Sequence, residues 1–152
     1  MRPRLRSALP ALLAAAAAAP AAAQEKPPQV QYIAPAGAAA SLPFSPAVRV
    51  GSMLYLAGQL GTDSTGNLVP GGVEAETRQA LTNIKKLLEA NGSSMDHVVK
   101  CLVMLADIGE WARMNTVYVT FFPTHKPARS AFGTSGLARS ARLEIECMAT
   151  VP

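Results

Sequence analysis

The sequence predicts an α+β domain, helices packed on one face of a sheet, with its elements in the order β-β-α-β-α-β-β. Three observations carry that prediction. From Val73 to Leu88 the apolar residues recur at helical spacing. From His97 to Asp107 runs a dense β-branched and apolar segment too short for a typical helix. Toward the end, Leu143, Ile145, Cys147, Ala149 and Val151 alternate with Glu144, Glu146, Met148 and Thr150, the period of a strand with one buried face.

Before the domain stands "MRPRLRSALPALLAAAAAAPAAAQ", in which Arg2, Arg4 and Arg6 precede an uncharged Leu/Ala run and small residues at Ala21 and Ala23. This is the order of a secretory signal peptide, with cleavage expected after Ala23 and delivery to the periplasm or the exterior. Its apolar part is shorter than the roughly 20 residues a bilayer-spanning helix needs, so export is adopted over a permanent anchor, with no membrane association after cleavage. An alanine-rich tail behind a misplaced start codon is the bland alternative. Loss of residues 1–23 removes three of 14 Lys+Arg and none of 10 Asp+Glu, leaving 11 cations against 10 carboxylates, a formal +1. The basic balance belongs mostly to the signal, and the mature chain lacks the cationic surplus that nucleic-acid binding needs. The remaining 129 residues fit one domain.

Residues 24–40, "QEKPPQVQYIAPAGAAA", mix Pro, Gln and Ala without period and read as a linker or extended arm, the domain itself occupying 41–152. Ala47 to Val50 and Met53 to Ala57 form two β-type runs around a Gly51-Ser52 hairpin turn. After a Gly/Asn/Pro-rich loop from Gly61 to Gly72, the helix beginning at Val73 buries Val73, Thr77, Ala80, Leu81, Ile84, Leu87 and Leu88, and Gly92 is placed to stop it. "DIGE" offers a capping box, Asp107 accepting a backbone hydrogen bond while Glu110 reaches back. The helix it opens carries Trp111, Met114, Val117, Tyr118 and Phe121, a stripe read as ordinary core, and ends at Pro123. Two strands, Ala128 to Gly133 and Ala141 to Val151, close the domain around the loop "TSGLARS".

Cys101 and Cys147 are too few for a disulfide framework and are expected as small buried free residues, a bridge requiring that their strands be neighbours. His97 and His125 stand alone, so no metal site is expected. Of the charged residues, Arg129 draws interest because it begins a strand just after a proline, with Glu144 early in the following strand. A strand-anchored guanidinium presents a rigid fork matched to a carboxylate, and a nearby glutamate is able to orient water. By spacing alone such a pair is more often a structural ion pair.

The stretches "LPFSPAVRVGSMLYLAGQLG", the Asn115-x-x-Tyr118-x-x-Phe121-Phe122 pattern and, above all, "PARSAF" followed by Gly136-Leu137 and "LEIE" resemble the RidA/YjgF family, the reactive-intermediate imine deaminases, from about Ser41 to Pro152. The resemblance implies a chorismate-mutase-like fold, a homotrimer with three clefts between subunits, and hydrolysis of enamine and imine acids such as 2-aminoacrylate and 2-iminobutanoate to 2-keto acid and ammonia, without metal or organic cofactor. It implies that Arg129 grips the substrate carboxylate and that Glu144 attends the attacking water. Backbone groups at Ser130 and Ala131 are candidates to stabilise the adduct, and Gln59, Asn115 and Tyr118 are candidate cleft residues, core packing being an equal reading for Tyr118. Phe44 stands where many members have tyrosine, Ala57 where they have serine, and Ala131 where they have cysteine. The first two predict a more apolar cleft and a different or bulkier imine. A non-catalytic protein holding a small carboxylate metabolite in the same cleft is the alternative. Members have also been called ribonucleases, against which the near-neutral mature charge and the lack of paired histidines count here.

Overall fold

The computed structural model describes residues 26–34 and 42–152; the expected signal peptide and the two ends of the expected arm, 24–25 and 35–40, lie outside them. Nine elements follow one another: β1 (Val30–Ile33), β2 (Ala47–Val50), β3 (Met53–Leu56), β4 (Gln59–Leu60), α1 (Gly72–Ala90), β5 (Val98–Leu105), α2 (Trp111–Tyr118), β6 (Ala128–Gly133) and β7 (Leu143–Thr150). The strands form one mixed sheet in the order β1-β2-β3-β7-β5-β6, with β4 also on β7. Among the described strands only β5 and β6 run parallel, joined by the α2 crossover; the other pairs are antiparallel. Among the described residues no helix is long and apolar enough to cross a membrane.

The central prediction holds. Leu81, Ile84 and Leu88 of α1 and Met114 of α2 are fully buried against Leu54, Val103, Leu105, Leu143 and Ile145 of the sheet. Burial of apolar side chains from two layers is the main favourable term, at about 25 cal/mol per Å² of apolar area. The opposite face of the sheet stays uncovered by the described residues. Registered pairing places Tyr32, Val48, Tyr55, Met148 and Lys100 on it in succession, with Leu102, Met104 and Phe132 beside them. Tyr32, Tyr55 and Phe132 are exposed there.

Four expectations change. Val30–Ile33, assigned to a linker, pairs along its whole length with β2, because its alternating Val-Gln-Tyr-Ile finds an open edge. Its neighbours Pro27 and Pro28 mask that short run in the sequence. The second addition is β4, set off from β3 by a bulge: from Tyr55↔Met148 to Gln59↔Ile145 the first strand advances four residues and β7 three.

The cysteines are not free. Cys101 and Cys147 are registered partners on antiparallel neighbours, their Cα atoms 4.1 Å apart, and form a buried disulfide. Burial was read correctly from sequence, but adjacency of the two strands is a tertiary fact. Replacing both cysteines by alanine should lower unfolding free energy by about 2–4 kcal/mol, since the bridge spans 46 residues of sequence. Urea titration of the double variant against the oxidised protein measures it.

The capping box forms only in half. Asp107 Oδ1 accepts the Gly109 N–H at 2.8 Å, opening a short 3₁₀ turn before α2. The Glu110 carboxylate instead accepts from Arg142 Nε at 2.7 Å and Nη2 at 2.6 Å, with Arg113 Nη1 at 3.3 Å. A buried carboxylate needs a charged partner, and a bidentate guanidinium outcompetes a neutral backbone donor. Buried Glu76 of α1 accepts the Arg142 backbone N–H at 2.9 Å, so the chain entering β7 is fastened to both helices two residues before Glu144.

Gly61 marks where the chain leaving β4 crosses α1. A Cβ there would lie 2.5 Å from Glu76 Cα and 2.7 Å from its carbonyl oxygen. Helix backbone cannot yield as a side chain does. Gly61→Ala should therefore cost about 1–3 kcal/mol, read as a lowered melting temperature.

Candidate active site

Arg129 sits on β6, the edge strand, paired in register with Cys101 and so on the helix-bearing face. Its guanidinium is held by α2. Nη1 donates to Asn115 Oδ1 at 2.6 Å, and the guanidinium carbon lies 4.5 Å from the Tyr118 ring centroid and 5.8 Å from that of Trp111. Residues 111, 115 and 118 fall on one stripe of the helix, which explains the Asn-x-x-Tyr spacing: it builds a rest for the arginine. No carboxylate lies within 4.0 Å of Arg129 among the described residues, so its charge is unspent. Beside it opens a cavity of about 420 Å³ lined by Asn115, Tyr118, Val119, Phe122, Lys126, Pro127 and Arg129.

Trp111 corrects the reading of the α2 stripe as plain core. Met114, Val117 and Tyr118 are buried as expected, whereas Trp111 is 45% exposed and flanks the arginine. Its spacing four residues before Asn115 was the available signal. The Tyr118 ring is buried in the core and also lines the cavity. Burial pushes its phenol up to about 12, the Arg129 charge pulling the other way, so the hydroxyl stays protonated. That hydroxyl is buried with no hydrogen-bond partner among the described residues. Tyr118→Phe should then be neutral or stabilising by up to about 1 kcal/mol, because it removes an unpaired polar group and keeps the ring under Arg129. Thermal unfolding of the variant reads the sign.

Glu144 lies elsewhere. It pairs with Met104 on β5, three residues beyond the Cys101 that pairs with Arg129. An odd offset along a strand reverses the face, so the two side chains leave the sheet on opposite sides. They form neither an ion pair nor a common cleft within one chain. The Glu144 carboxylate rests against Gly58 at the bulge, where a Cβ would fall 2.8 Å from its Cδ. Gly58 and Leu60, the registered partner of Glu144, line a second cavity of about 280 Å³ with Phe44, Gln59, Thr62 and Arg139.

The remaining candidates divide between these places. Ala131 shares the face of Arg129 and packs against the core, whereas Ser130 points to the other face, 3.4 Å from Lys100 Nζ. Phe44 is exposed at the second cavity. Gln59 turns its amide onto the Ala57 and Gly58 carbonyls at 3.1 and 3.2 Å, and the Ala57 N–H donates to Pro46 at 2.9 Å. One group is thus Arg129, Asn115, Tyr118 and Ala131, and the other is Glu144 with Phe44 and Gln59, Ala57 lying beside the latter next to Gly58. Lys126, Gly58 and Arg139 were not singled out from sequence; they are loop residues whose only signal is tertiary.

The family model described as Endoribonuclease L-PSP matches residues 34–151. The 2-iminobutanoate/2-iminopropanoate deaminase of Bos taurus is 45% identical over 119 residues, which cover 77% of this chain and 87% of that protein. The protein of the same name from Mus musculus is 45% identical over 112 residues, 73% of this chain and 83% of its own. Among solved structures, RidA from an Antarctic Psychrobacter aligns with a TM-score of 0.73 at 36% identity, over 80% of this chain and 99% of that one. With the arginine rest on α2, the edge-strand "PARS" and the closing "LEIE" all in place, the chain belongs to the RidA/YjgF family, whose model carries the name Endoribonuclease L-PSP.

Proposed function

We propose that the chain is an imine and enamine deaminase that hydrolyses 2-imino and 2-enamino acids, of the 2-aminoacrylate and 2-iminobutanoate class, to 2-keto acid and ammonia. The observation that carries this reading is Arg129: a guanidinium fixed on an aromatic ring and an amide, free of any carboxylate among the described residues, at the mouth of a cavity. Two relatives 45% identical to it bear the name 2-iminobutanoate/2-iminopropanoate deaminase.

The chemistry asks mainly for placement. Asn115 occupies one Nη1 hydrogen, leaving the outer N–H groups of Arg129 to take the substrate carboxylate in two parallel bonds. The protonated imine carbon is then presented to water. Water adds to that carbon, its proton passes through the Glu144 carboxylate to the nitrogen, and the C–N bond breaks to release ammonia and leave the keto group. The outer edge of β6, with no strand beyond it among the described residues, offers the backbone of Ser130 and Ala131 to the adduct. None of this needs a cofactor.

Because Arg129 and Glu144 leave opposite faces of the sheet, the reading requires Glu144 from a second copy. The uncovered apolar face bearing Tyr55, Phe132 and Met148 supports assembly, and a closed trimer provides three equivalent clefts. Export through residues 1–23 belongs to the same proposal. The buried disulfide supports it, since such bridges persist in oxidising compartments.

The test is keto-acid release from freshly generated 2-aminoacrylate and 2-iminobutanoate by residues 24–152, with the size of the assembly measured in parallel. Hydrolysis above background that disappears in Arg129→Ala supports the deaminase. Rates equal to buffer in both proteins would overturn it and leave capture of a small carboxylate as the cleft's use.

A further inference from the structure

Arg139 is the least expected residue of the second cavity. It lies in the loop between β6 and β7, and both it and Ser140 hold left-handed backbone, φ +59° and +58°, which side-chain-bearing residues rarely adopt. An outlier of this kind, maintained at two consecutive positions beside a cleft, points to a role for what it positions. What it positions is a guanidinium. One Nη1 hydrogen goes to the Gly66 carbonyl of the facing loop, which pins the side chain across the cavity mouth and leaves the other N–H groups available. As with Arg129, no carboxylate lies within 4.0 Å among the described residues. Around it are Phe44, Gln59, Leu60 and Thr62, and Gly58 joins this cavity to the Glu144 carboxylate.

We infer that Arg139 is a specificity-determining residue that binds a second carboxylate, so that the preferred substrates are 2-imino dicarboxylates. The inference rests on the deaminase reading above. When the Arg129 half-site of one subunit meets the Glu144 half-site of another, the α-carboxylate is taken by Arg129 and the side chain of the substrate extends toward Phe44 and Arg139. Phe44 and Leu60 pack its methylene groups, and the Arg139 fork receives the distal carboxylate. Arg139 is exposed on the single chain, and as a cation set beside Phe44 and Leu60 at the cavity it favours a matching anion over a neutral side chain, which leaves it unpaired. The reaction balances as for the simpler imine: the imino dicarboxylate plus water gives the 2-oxo dicarboxylate plus ammonia, with no redox change.

The experiment compares 2-iminoglutarate and 2-iminosuccinate with 2-iminobutanoate, each generated in place by an amino-acid oxidase, for wild type, Arg139→Asn and Arg139→Lys. Asparagine tolerates the left-handed backbone, so the variant tests charge rather than strain. The readout is the ratio of kcat/KM for dicarboxylate over monocarboxylate within each preparation, which a merely structural defect does not move. The expected ratio is roughly tenfold or more in wild type, near one in Arg139→Asn and intermediate in Arg139→Lys. Tighter competitive inhibition by 2-oxoglutarate than by 2-oxobutanoate, lost in the asparagine variant, is the expected companion result. A wild-type ratio near one, or one unchanged by Arg139→Asn, overturns the inference while leaving the deaminase intact. Failure of wild type on all three imines overturns both.

Discussion

Arg129→Ala is expected to lower kcat/KM for 2-iminobutanoate by roughly 100-fold or more, the loss of a charge-assisted, bidentate contact worth about 3 kcal/mol in a partly desolvated site. Stability should change little. The guanidinium is only half-buried at an edge strand, and its neighbours Tyr118 and Phe122 stack on one another at 4.9 Å without it. Arg129→Lys keeps the charge but loses the planar fork and the stacking on Tyr118, so most of the activity should go as well. Asn115→Asp makes the sharper comparison. The amide oxygen sits 2.6 Å from Arg129 Nη1, so a carboxylate in its place forms an internal ion pair and competes directly with the substrate. Asn115→Asp should raise KM more than Asn115→Ala does, although alanine removes the contact altogether. Steady-state kinetics on the two variants decides this, and the opposite order would mean that Asn115 serves the fold rather than the anchor.

Mixing two inactive proteins should restore activity. Under the proposed mechanism Arg129→Ala and Glu144→Ala would each abolish every site, but since the two residues leave opposite faces of the sheet, a working site would draw them from different subunits. Dissociation and reassembly of an equal mixture then produces sites in which Arg129 comes from the Glu144→Ala chain and Glu144 from the Arg129→Ala chain. Random assembly into a ring gives about one quarter of the wild-type activity per site. If both residues served a site within one chain, the mixture would remain as inactive as its parts. Keto-acid release before and after subunit exchange measures the difference without any assumption about substrate preference beyond one imine that wild type turns over.

The helical stripe of α1 was legible because its apolar positions recur every three or four residues and the helix buries them against a sheet, so local pattern and tertiary environment agree. The alternation in β7 was legible for the same reason. The second helix was read with its role half wrong. Apolar residues at helical spacing look alike whether they fill a core or flank a cation; Trp111 and Met114 both lie near Arg129, but Met114 is fully buried and Trp111 is not. For β1 the local signal was present but outweighed by its prolines, and pairing with β2 decided the matter.

What the amino-acid sequence determined by itself was the class of the fold, the order of its main elements and the residue types of the candidate site, since each depends on period, turn chemistry or motif along the chain. Tertiary structure alone decided which residues meet. It joined Cys101 to Cys147 across two antiparallel neighbours 46 residues apart, withdrew Glu110 from its cap to Arg142, and sent Arg129 and Glu144 to opposite faces of one sheet. The second follows from the stronger charge-assisted bond that Arg142 offers, and the first and third share one physical reason. Strand order and register set proximity between distant residues, and a register offset of one residue reverses the face on which a side chain acts.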